Sequence, residues 1–289
     1  MAPAAGWILL WFAVGWLGCA GPAPVPVSRE VEDAQRSARM AARLQGDRQW
    51  ASAAIAWERA ARQYRLLNRS APWAVASHNE GVVLLQLGEW DKARDRLETA
   101  MRLNRDLGDT AAVWRNQLAL LQLDIADPSA DPVPLSLELE ARQGELGADP
   151  RMQGLLAHEL SRVRLGQGSL EEAAGWSARA EAAFTGLEDP QALGAVWTVR
   201  GEIAGAAGHW QEASGWWRRA LELYQGQGDP EGVAAALAGW GRSLAADGSA
   251  PEEARRVLSL AVENLTDLGQ TEEAERLRGV LDAMRVGSP

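Results

Sequence analysis

The chain has 289 residues, 47% of them hydrophobic, and a formal net charge of −10. That apolar share supplies a large core, while the acidic balance excludes a general nucleic-acid binder and disfavours adhesion of the folded body to anionic head groups. The single cysteine excludes an intramolecular disulfide framework and a cysteine-rich zinc site.

The first 27 residues stand apart from the rest. Trp7 to Leu17 is an uncharged apolar run, followed by Gly18, Cys19, Ala20 and the proline-rich stretch GPAPVPV. A short apolar core ahead of small residues is the mark of a secretory signal. Leu17-Gly18-Cys19 resembles a bacterial lipobox, with Trp16 where leucine is usual and no basic residue ahead of the apolar run. That resemblance implies a signal peptide over residues 1–18, cleavage before Cys19 and diacylglycerol on its sulfur. Residues 19–29 then form a stiff proline-rich tether. Two alternatives stay open: ordinary cleavage after Ala20, and an uncleaved anchor, since Ala4 to Gly21 are uncharged and nearly long enough to span. All three place the body outside the cytoplasm. Under the lipobox reading, Ala20 in place of an aspartate implies the outer membrane.

From residue 30 onward alanine, leucine, arginine, glutamate and glutamine dominate, which predicts an all-helical body. The first hairpin, near residues 30–68, carries Ala41, Trp50, Ala53, Trp57 and Ala60. The second carries Gly81, Gly88, Trp90, Ala93, Leu97 and Ala100. In the third, a good first helix from Trp114 runs into the loop DPSADPVP, which delays its second helix to about 135–146. The fourth has Leu160, Gly168, Leu170, Ala173 and Ala180. The fifth is the clearest, with Trp197, Gly201, Gly208, Trp210, Ala213, Trp217 and Ala220. A sixth carries Trp240, Ala254, Leu258 and Ala261, and a charged amphipathic segment near 272–285 closes the chain.

Two markers share one phase. Ala53, Ala93, Ala173, Ala213 and Ala254 recur at steps of 40, 80, 40 and 41, while Asp109, Asp149, Asp189 and Asp229 lie 40 apart. Aspartate suits helix N-caps, and the proline after the last three suits a first helical turn. Counted from Gly194 as position 1, small residues fall at 8, 20 and 27 and bulky ones at 4, 17 and 24. This pattern resembles the tetratricopeptide repeat (TPR), in a variant longer than the usual ~34 residues. The resemblance implies a right-handed superhelix of six hairpins plus a polar capping helix over residues 30–289. It assigns Gly81, Ala93, Ala100, Trp197, Gly201, Ala213, Trp217 and Ala220 to repeat packing. It places Gln35, His78, Arg115, Gln122, His158, Arg162, Thr198, Glu202 and Ser243 along the concave groove.

No metalloprotease, nucleophile-elbow, P-loop or dinucleotide motif is present. The expectation is therefore a scaffold with no catalytic residue, no metal, no cofactor and no small-molecule substrate. Arg115 and Arg162 make the middle of the groove mildly basic, which suits a peptide bearing acidic groups. The lipobox, tether and repeats together resemble envelope-assembly lipoproteins, implying protein partners, no nucleic acid, and membrane contact through lipid alone. The rival reading is a glycan- or peptidoglycan-binding lipoprotein that uses Trp176 and Trp216, which the repeat pattern does not assign. Exposure of these rings beside carboxylates favours the glycan, and burial between repeats favours the scaffold.

Overall fold

The computed structural model describes residues 28–147 and 149–286. The expected signal peptide, Cys19 and most of the tether lie outside them. Helices follow one another as α1 (Arg29–Gly46), α2 (Trp50–Leu66), α3 (Ser70–Gln86), α4 (Trp90–Asp106), α5 (Thr110–Ala126) and α6 (Val133–Ala141). After a 3-10 turn (Gln143–Leu146) come α7 (Pro150–Gly166), α8 (Leu170–Gly186), α9 (Pro190–Ala206), α10 (Trp210–Gln227), α11 (Pro230–Asp247), α12 (Pro251–Asp267) and α13 (Thr271–Val286). Consecutive helices pack against one another, except that α6 lies mainly on α7 and not on α5, giving an all-α solenoid of helical hairpins and a final helix among the described residues.

The 40-residue period has a simple origin. Most helices run 17 residues and most turns only three, so two helices and two turns make 40. Length beyond the common repeat therefore goes into the helices. A turn this tight needs a left-handed residue just past the helix C-terminus. At Gly88 (φ 71°), the Gly88 N–H donates to Leu85 O at 3.1 Å and the Glu89 N–H to Leu84 O at 3.0 Å. These two bonds satisfy carbonyls that the helix end would otherwise orphan.

The second, fifth and sixth hairpins close by setting a glycine against a large side chain. A methyl group on Gly81 would lie 2.7 Å from Leu97 Cγ, and one on Gly241 2.7 Å from Leu258 Cδ2. Ala53, Ala93, Ala100, Ala173, Ala213, Ala220, Ala254 and Ala261 are fully buried. The helix backbones thus approach closely, and the large side chains fill the flanks.

The third hairpin departs from expectation. Its second helix begins at Val133, with Pro134 in the first turn, and its α-helical part ends at Ala141. Gly144 and the left-handed Gly147 follow, so the expected segment to residue 146 finishes as a 3-10 turn. Proline fits a first turn, while glycine weakens a helix interior. At the far end α13 buries Ala274 and Leu277 and turns Glu272, Glu275 and Arg276 outward.

Candidate functional site: the inner groove

The odd-numbered helices from α3 to α13 pack against one another as well as against their hairpin partners. They therefore form the inner wall of the curve. Gln122 of α5 and His158 and Arg162 of α7 meet here, in a cleft of about 490 Å³ walled also by Leu155, Asp189 and Ala195. At its floor lies Glu159, 1% exposed. One carboxylate oxygen accepts from Gln122 Nε2 at 2.8 Å, and the other accepts from Arg162 Nη1 at 2.9 Å. The pair and the amide lock the wall because the Glu159 carboxylate could not be left unpaired at that depth.

His78 and Arg115 share a second cleft, of about 530 Å³, with Asn116. Asn116 Oδ1 accepts from His78 Nδ1 at 2.8 Å, while its Nδ2 donates to Ala112 O at 2.7 Å. Thr198 and Glu202 lie further on, along α9, and line neither cleft. Thr198 donates to Gly194 O at 3.0 Å and stands 3.3 Å from the Tyr224 hydroxyl. Glu202 reaches solvent inside the curve.

Electrostatics follow from this enclosure. Burial pushes the His158 imidazole down, Arg162 adds to that, and Glu159 opposes it. Burial likewise lowers His78, with Arg115 adding and the Asn116 bond opposing. The Glu202 carboxyl is raised by crowding within the curve, against the pull of Arg162 and Arg242. For the two histidines, and for Glu202 despite its solvent access, partial enclosure by the inner wall disfavours the charged form.

Two sequence expectations are corrected. Ser243 is 4% exposed and donates to Gly239 O at 2.9 Å, so it belongs to the helix interior. Its neighbour Arg242 is the residue that faces Glu202 and pairs with Glu273 at 2.6 Å. The basic middle is reduced, because Arg162 is neutralised by Glu159, while Arg115 lines the second cleft. Glu159 escaped the sequence reading because the repeat pattern assigns its position to no groove role.

Trp176 and Trp216 are half-buried against the repeat cores. The Arg179 guanidinium lies 4.3 Å from the Trp176 ring centre, and Arg200 and Arg219 lie 4.5 and 4.6 Å from that of Trp216. Arginine thus occupies faces that a sugar would need. Among the described residues no three His, Cys, Asp or Glu side chains gather to hold a metal ion. No described helix is long and apolar enough to cross a membrane.

The fold and its inner wall define a TPR-like α-solenoid. No family model matches the sequence, and no curated protein does. Among solved structures, the chain is similar to BtubC (BKLC) from P. vanneervenii at 18% identity and a TM-score of 0.52, covering 90% of this chain and 93% of that one. It is also similar to the TPR2AB domain of yeast Sti1, solved with pHSP90, at 14% identity and a TM-score of 0.39, covering 88% and 99%.

Proposed function

We propose that this protein is a non-catalytic protein–protein interaction scaffold, held in the bacterial envelope by lipid on Cys19, that binds a partner polypeptide in its inner groove. The observation that carries the reading is the cleft where Gln122, His158 and Arg162 converge over a buried, fully paired Glu159. Its charges are neutralised in the pairs Arg162–Glu159 and Arg151–Asp189, while Leu85, Leu155 and Ala195 supply apolar wall. Such a surface suits a chain with mixed polar and apolar side chains. The lipobox-like Leu17-Gly18-Cys19 supports an outer-membrane lipoprotein facing the periplasm. Arginine cover over Trp176 and Trp216 weighs against the glycan reading.

The test is capture from detergent-solubilised membranes with the wild type and with Ala126→Arg/Ala195→Arg, which fills the cleft from two walls. An envelope polypeptide retained by the wild type and lost by a folded double variant is the expected result. Sedimentation with cell-wall sacculi, with no polypeptide retained, overturns it.

A further inference from the structure

One contact joins distant parts of the solenoid. Arg48, in the turn between α1 and α2, donates from Nη2 to Asp229 Oδ1 at 2.8 Å, and its Nη1 stands 2.6 Å from Glu231 Oε2. Those carboxylates sit at the α10–α11 junction, and Asp229 lies 181 positions after Arg48. Stacked hairpins meet at that separation only when the superhelix has come round upon itself.

Both partners break the rule of their own repeat. Arg48 is in 40-residue register with Gly88, Gly168, Gly208 and Gly248, all with φ between 69° and 75°, yet it takes φ 55°. Glycine adopts this conformation without a Cβ penalty, and arginine does not. Asn68 (φ 52°) and Glu188 (φ 51°) also take this conformation in turns between hairpins, so local turn chemistry tolerates an arginine there without favouring it. At the other end, Asp109, Asp149 and Asp189 each accept an N–H from their own helix. Asp229, fourth in that series, makes no side-chain cap bond and gives its carboxylate to Arg48.

The contact also abuts the groove. Arg48 shares a cavity of about 470 Å³ with Asp189 and Gln191, and both of those line the central cleft as well. Asp189 is itself held by Arg151 at 2.8 Å.

We infer that Arg48, Asp229 and Glu231 form an ionic latch that closes the solenoid on itself and sets how widely the groove stands open. The side chains are 39%, 23% and 48% exposed. Ion pairs so placed are individually weak and are screened by salt, so the latch holds at low ionic strength and releases as salt rises. Closure is independent of what the groove binds, and only its consequence for access rests on the polypeptide reading.

The test needs no partner. Spin labels go on Gln49→Cys and Gln227→Cys, exposed neighbours of the latch, in the full-length chain carrying Cys19→Ser, and their separation is read by electron paramagnetic resonance. A single short distance is expected at low salt. Arg48→Gly, which supplies the glycine of the equivalent turns, lowers the closed-to-open ratio about fivefold, the effect of losing a weak exposed pair. Salt at about 1 M does the same to the parent. Charge reversal through Arg48→Glu with Asp229→Arg and Glu231→Arg restores the short distance. A short distance unchanged by Arg48→Gly and by salt overturns the latch, as does a long distance in the parent at low salt. Failure of polypeptide capture leaves this readout untouched, so the two proposals fail separately.

Discussion

The indole of Trp217 occupies the space that a side chain on Gly201 would take: a methyl group there would lie 2.7 Å from Trp217 Cε2. Gly239 of the next hairpin faces the same ring, with 2.3 Å to Cε2. One tryptophan thus fixes the spacing within its hairpin and to the following one. Overpacking of this kind costs about 1–3 kcal/mol, and truncating a buried tryptophan about 3–5 kcal/mol. Gly201→Ala and Gly239→Ala are each expected to lower stability by the smaller amount, and Trp217→Ala by the larger. Urea unfolding checks the order. Equal stability of Gly239→Ala and wild type would remove Trp217 from its bridging role.

Glu80 makes stability depend on pH. It is 4% exposed, with Arg96 Nε 2.8 Å away, yet burial outweighs Arg96, Glu58 and Asp95 add to it, and the carboxyl is pushed up to about 7. Because the folded value lies above the ordinary 4.5, the protonated form favours the fold. That contribution is complete below about 4.5 and is lost as pH rises through about 7. Glu80→Gln is therefore expected to match the wild type near pH 4.5 and exceed it at pH 8, by about 1–3 kcal/mol. Equal gains at both values would show that the carboxyl titrates normally.

Much of this architecture was legible because it is local. The small and large residues of a hairpin, such as Gly81 and Leu97, lie within one repeat and announce each other by spacing. Gln122, His158 and Arg162 were found together because equivalent positions on stacked helices must face the same side. Ser243 was misplaced for the same reason in reverse. It lies one residue out of register: Arg242, 40 residues after Glu202 and 80 after Arg162, takes the groove-facing direction, while Ser243 is buried. The meeting of Arg48 with Asp229 was not legible, because superhelical closure depends on small rotations accumulated over several hairpins. Its trace in the sequence, an arginine in the series of Gly88, Gly168, Gly208 and Gly248, is not distinctive, because Pro128 interrupts the same series.

The two groove histidines respond to acid in the opposite sense from Glu80. Burial holds both His78 and His158 below the ordinary 6.5. A base lowered in the folded state contributes stability above 6.5 and loses it as pH falls through the folded value. Their ring proton resonances are expected to titrate below pH 6.5, and acid is expected to weaken the inner wall there. His158→Gln should flatten the loss between pH 6.5 and 5 relative to wild type. A titration of either ring above 6.5 would contradict the enclosure of its cleft.

The proposed anchor rests on Cys19, and its chemistry makes the three fates of the N-terminus separable. A diacylated cysteine carries two hydrocarbon chains, enough for stable attachment where one is marginal. If the lipobox reading holds, cells given an alkyne fatty acid label the wild-type protein and leave Cys19→Ser unlabelled. The intact mass of the mature wild type then corresponds to a chain beginning at residue 19 with added lipid. Ordinary cleavage after Ala20 gives an unlabelled protein beginning at Gly21. An uncleaved anchor gives an unlabelled protein that keeps the apolar run from Trp7 to Leu17 and stays in the membrane fraction with or without the cysteine. Fatty-acid label on the wild type that persists in Cys19→Ser would place the lipid elsewhere and sink the assignment.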